Sequence, residues 1–143
     1  MDSDTKDKIQ KKMKDGWIKS WMMIEVMAVS ESAAKSSLEK HVQKMETEKG
    51  AFLYDKKFGE MDKIDNPLPN VPHGFSYVVE FEILTQNLDR LMTIVMNYGP
   101  SSVEILEPDE LKIPLGEAQG ILNSVSAMMH KFASQTGGII VSS

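Results

Sequence analysis

The chain has 143 residues, no cysteine and a net charge of -5, with 41% hydrophobic and 26% charged residues. The missing cysteines exclude disulfides, thiolate metal sites and cysteine nucleophiles, and the acidic balance is not that of a phosphate-neutralising surface. A chain of ~150 residues buries roughly 68–70% of its unfolded surface, so a single domain with a full core is expected.

Residues 1–16 read as a polar N-terminal arm in which lysines and aspartates nearly cancel. It is either a solvated extension or a short helix, because Ile9, Met13 and Trp17 sit four apart. No apolar h-region follows, which is not the pattern of a signal peptide. The longest apolar runs, such as 21–24, are far too short for a bilayer. A soluble, cytoplasmic protein with no membrane attachment is the expectation. Eleven methionines are read as adaptable core filling, with a Met-lined groove as the sharper alternative.

Residues 17–143 form the expected single domain. Residues 17–29 read as a first strand, apolar but for Lys19, Ser20 and Glu25 and therefore central and covered on much of both faces. Ser30 is a natural N-cap, and Ala34, Leu38, Val42 and Met45 mark one stripe of the helix that follows. Gly50 ends it, and 51–58 read as a second strand with Phe52 and Tyr54 on one face. Residues 60–72 hold three prolines and four Asp or Asn residues, so a long loop is expected there, a candidate lid or recognition loop. Phe75, Tyr77, Val79, Phe81 and Ile83 then alternate with polar residues as a half-buried strand. Thr85 or Asn87 caps a helix carried by Leu88, Leu91, Met92 and Val95, Gly99-Pro100 stops it, and 103–106 resume as a strand.

Pro114 sits where a first-turn proline belongs. Leu115, Ala118, Leu122, Val125, Met129 and Phe132 follow at alternating spacings of three and four, two and a half heptads of a C-terminal helix over 115–135. This stripe packs either on the chain's own sheet or against another subunit. Residues 139–141 are β-branched and suit an edge strand.

The order β-α-β-loop-β-α-β-α predicts an α+β fold, a ferredoxin-like βαββαβ antiparallel sheet with two helices on one face plus an additional C-terminal helix. No sequence motif for catalysis stands out. There is no nucleophile elbow, no glycine-rich phosphate loop and no His pair at i, i+4, and His41, His73 and His130 fall in different elements. Asp62 and Asp65 lack further oxygen ligands at a recognisable spacing, so they read as solvated turn residues. No cofactor and no metal site are expected.

The hexapeptide from His73 to Val78 resembles the signature of RNA-recognition motifs, whose aromatics face outward to stack bases. Turning Phe75 and Tyr77 outward would drive Glu80 and Glu82 toward the core, because a strand's faces cannot be exchanged singly. Nucleic acid is therefore an unexpected partner, and core packing of the two rings is expected. Leu91, Tyr98-Gly99-Pro100, the run from Val103 to Pro108 and Glu110-Leu111 together resemble the WCX domain, the ferredoxin-like C-terminal extension of WYL-type transcriptional regulators. The resemblance implies dimerisation and effector sensing. The chain departs from that family in its 60–72 segment and has no room for a helix-turn-helix.

The functional expectation is a non-enzymatic oligomerising or ligand-sensing regulatory module, a dimer with a small-molecule effector. The alternatives are a single-stranded RNA-binding domain and a small hydrolase-like enzyme. Trp21, Tyr98 and Phe132 are the candidate interface or pocket residues, set against ordinary core packing for each.

Overall fold

A computed structural model describes residues 1–135. The expected tail strand at 139–141 lies outside the described residues. The elements are α1 (Ser3–Lys14), β1 (Ile18–Ala28), α2 (Glu31–Glu46), β2 (Ala51–Phe58), β3 (Asp62–Leu68), β4 (Val71–Thr85), α3 (Leu88–Tyr98), β5 (Ser102–Glu107) and α4 (Leu115–Gln135). The fold is mixed α+β: four helices among the described residues and a five-stranded sheet ordered β2-β4-β1-β5, with β3 paired to β4 beside that path. Every pairing is antiparallel.

Local chemistry sets the boundaries. Ser30 Oγ accepts from the Ala33 amide at 3.1 Å and starts α2. Asn87 Oδ1 accepts from Arg90 N at 2.8 Å and starts α3, as side-chain caps do for the orphan amides of a first turn. Gly99 closes α3 in the left-handed region, φ 57°, a conformation cheap only without a Cβ.

The register divides the sheet into two faces. Ile18, Ser20, Met22 and Ile24 of β1 stand opposite Thr85, Ile83, Phe81 and Val79 of β4, and all eight are buried. Against this face pack Leu38, Val42 and Met45 of α2 with Leu91, Ile94 and Tyr98 of α3. Removing each such large apolar side chain from water is worth ~1.5–3 kcal/mol, so this layer is the main source of stability.

The 60–72 segment is not a loop. Asp62–Leu68 form β3, which pairs with the first half of β4 from Asp62↔Ser76 to Leu68↔Val71. β3 continues the edge that β2 begins further along β4. Pro69-Asn70 makes the two-residue connection, with Asn70 at φ 68°, the type II pattern of proline followed by a positive φ. Pro67 is tolerated because β3 is an edge strand whose missing amide faces no neighbour. The turn-forming residues describe one tight turn and a bulge at Asn66 (φ 53°).

The N-terminal arm is a helix. Asp2 caps α1 by accepting from Thr5 N at 2.7 Å, and these backbone and side-chain hydrogen bonds hold its carboxyl below the usual range. α1 buries none of its residues. It is held to the body by the Lys12 ammonium, 4.1 Å from the Trp17 ring centroid and 5.8 Å from that of Phe52.

Candidate functional site

α4 rests on α3 and forms a third layer. In α3, Leu91, Ile94 and Tyr98 turn to the core, so at 100° per residue Asp89, Thr93, Met96 and Asn97 turn away from it. α4 lies on that outer side. Glu117 Oε1 accepts from Leu88 N at 2.8 Å, capping the first amide of α3 with a residue of α4. Ser124 Oγ donates to Asp89 Oδ1 at 3.0 Å. A cavity of about 260 Å³ runs between the two helices, lined by Thr93, Met96, Asn97, Ser124, Ala127, Met128 and Lys131.

α4 therefore spends its polar and small residues on α3 and leaves its heptad stripe outside. Leu115 is 86% exposed, Leu122 70%, Val125 37%, Met129 57% and Phe132 62%. Ala118, between Leu115 and Leu122, is half-buried. From Ala118 to Met129 the helix carries no charge. An apolar stripe of this length on a water-facing helix marks an interaction surface more often than an isolated exposed leucine does.

The second surface is the sheet face opposite α2 and α3. Across it runs a row set by register, Tyr54 of β2, Glu82 of β4, Trp21 of β1 and Glu104 of β5. Tyr54 OH donates to Glu82 Oε1 at 3.3 Å, and Trp21 Nε1 donates to Glu80 Oε1 at 3.2 Å. Lys19 Nζ lies 3.9 Å from Glu82 and 3.4 Å from Glu107. Partial burial, then the Glu82 carboxylate and its hydrogen bond, push the Tyr54 hydroxyl well above its ordinary pKa. Rings alternating with carboxylates suit a cation rather than an anion. At one margin, a cleft of about 890 Å³ opens between α1 and Lys19 and Glu107.

The three residues singled out from sequence lie on three different surfaces. Trp21 stands on the open sheet face. Phe132 is on the outward stripe of α4. Tyr98 is buried between α2 and α3, 5% exposed. Its hydroxyl donates to Glu48 Oε1 at 2.7 Å, and its carbonyl accepts from His41 Nε2 at 2.8 Å. That second bond fixes the Nε2-protonated form of His41, since a carbonyl only accepts.

Phe75 and Tyr77 lie opposite Ala28 and Val26, on the helix side of the sheet, and Glu80 and Glu82 lie on the other side. This is the opposite of the base-stacking register. Tyr77 instead stacks on Phe58 with centroids 5.7 Å apart. Among the described residues no three His, Asp or Glu side chains gather as metal ligands. Asp65 accepts from His73 Nδ1 at 3.2 Å across the β3–β4 pair, and His130 is exposed on α4. No helix among the described residues is long and apolar enough to cross a membrane.

Sequence periodicity located the stripe of α4 but not the side by which α4 is held. The contact uses Glu117, Ser124 and Met128, one position round the helix from the larger residues. The only signal was a polar residue recurring seven apart beside Gly120 and Ala127.

Together these features define an α+β domain of three layers, the sheet, two covering helices and one outer helix, with α1 set against the opposite sheet face beside Phe52, Lys19 and Glu107. The chain belongs to the MJ0538 family, which residues 19–143 match. The match starts one residue into β1 and leaves α1 outside. Among curated proteins none matches the chain.

Proposed function

We propose that this chain is a non-enzymatic module that acts by oligomerising, and that α4 is the element through which it does so. The observation that carries the reading is the exposure of Leu115, Leu122, Val125 and Met129 along one heptad-spaced line. A helix that needed only its own fold would turn that line inward, as α2 and α3 do. Leaving it in water forgoes about 25 cal/mol for every Å² that a partner could cover. The scaffold we infer beneath it is ferredoxin-like with an added hairpin tip. In support, the path β2-β4-β1-β5 has α2 and α3 as its helical crossovers, and β3 lies beside that path. The likeness of 88–111 to the WCX domain points the same way.

The test is light scattering on the purified chain across a concentration series. A mass of two or more subunits that falls on dilution is expected. A single-subunit mass at every concentration overturns the reading.

A further inference from the structure

Resting on that reading, we infer that the partner is a second copy of this chain and that the two α4 helices pair antiparallel along the Leu115–Phe132 stripe.

The chemistry of the stripe selects the occupant. Residues flanking it on the exposed side are Gln119, Asn123, Ser126 and His130, with no lysine or arginine among them. A helix that lies on an anionic membrane carries lysines and arginines there. A partner of opposite charge would find nothing to pair with between Ala118 and Met129. Two copies of a chain with net charge -5 repel one another, and they repel least where they meet through an uncharged surface. An apolar heptad stripe is also its own complement, which is what a two-fold interface between identical patches requires.

Side-chain volume selects the direction. In a parallel pair each stripe residue meets its own counterpart. Ala118 would then face Ala118 and leave a void, while Phe132 would crowd against Phe132 two layers after Val125 met Val125. Voids and overpacking both cost stability. In an antiparallel pair centred between Asn123 and Ser124, Leu115 faces Phe132, Ala118 faces Met129 and Leu122 faces Val125. The smallest residue then meets the most adaptable one, the large-against-small alternation of a well-filled core. Opposed helix dipoles add to the preference.

Because the chain has no cysteine, thiols placed in the stripe are the only ones present. Ala118→Cys and Met129→Cys are made separately, checked for helicity by circular dichroism, and oxidised alone and after mixing. In the antiparallel pair two copies of Ala118→Cys hold their thiols ~16 Å apart, given 1.5 Å per residue, beyond disulfide reach. The expected result is no covalent dimer from either variant alone. The mixture should give cross-linked heterodimer approaching the share that random exchange allows. Covalent dimer from Ala118→Cys alone means a parallel pair, and a mixture that stays uncrosslinked also overturns the inference. Leu122→Cys mixed with Val125→Cys repeats the test if the first pair fails to fold. Light scattering on the unmodified chain separates the two levels. A dimer with the wrong cross-links removes only the direction, whereas a monomer removes the parent reading.

Discussion

Two hydroxyls on the helix-facing side of the sheet, Ser20 Oγ and Thr85 Oγ1, are fully buried and have no hydrogen-bond partner among the described residues. A buried hydroxyl without a partner costs ~1–3 kcal/mol. Thr85→Val keeps the shape and removes the unsatisfied group. Stability in urea denaturation is expected to rise by about 1 kcal/mol, and a fall would mean that the hydroxyl has a partner. Tyr98 shows the reverse arrangement. Burial, then its hydrogen bond to Glu48, pushes its hydroxyl up to about 12 from 10.0. The folded state therefore holds the proton more tightly than the unfolded chain. The contribution is complete below the unfolded pKa and is lost as pH rises through the folded one. Thermal stability should fall between pH 10 and about 12. Tyr98→Phe should cost about 1 kcal/mol at neutral pH and flatten that alkaline fall, read by calorimetry on both proteins.

β3 shows how far local sequence reaches. Its residues are those of turns, and nothing within 60–72 announces a strand. The strand exists because the extended first half of β4 offers a free edge, and pairing across that edge overrides weak local preference. One residue of β4 records the contact. A Cβ on Gly74 would meet Pro67 Cγ at 2.9 Å and Met27 Sδ at 3.3 Å. Gly74→Ala should therefore loosen β3, at a cost of about 1–3 kcal/mol typical of overpacking. Hydrogen exchange would show it as faster exchange at Asp62–Leu68 with the rest of the sheet unchanged. The remaining elements were legible because each carried its own period and its own cap, as Ser30 and Asn87 do. The packing direction of α4 was not, because two stripes lie side by side on one helix. Periodicity weighs size, whereas the fold used the hydrogen bonds of Glu117 and Ser124. For the same reason Trp21 and Tyr98 looked alike in sequence. One lies on an open face and the other in the core, a difference set by strand register and helix phase.

At the scale of the molecule, association through an uncharged seam has its own signature. Leu122→Glu places a charge at the centre of the stripe. It should weaken self-association by about 100-fold or more, since stranding a charge in an apolar contact costs ~3 kcal/mol or more. The variant's own melting as a monomer should change little, because Leu122 is 70% exposed. Added salt should leave the proposed dimer intact or tighten it, since screening relieves repulsion between two acidic chains. Sedimentation at low and high salt measures both effects. Dissociation by salt would point to ion pairing across the contact instead.

The layering has one more consequence. α4 lies at one extreme of the molecule and the face bearing Tyr54, Glu82, Trp21 and Glu104 at the other, with the sheet, α2 and α3 between them. The two surfaces look away from each other and share no residue. Whatever the outer helix holds, it does not reach that face, where Tyr54 is buried, Trp21 and Glu82 are half-buried and Glu104 is exposed. Two copies joined helix to helix would turn these faces in opposite directions, like the two ends of a bridge.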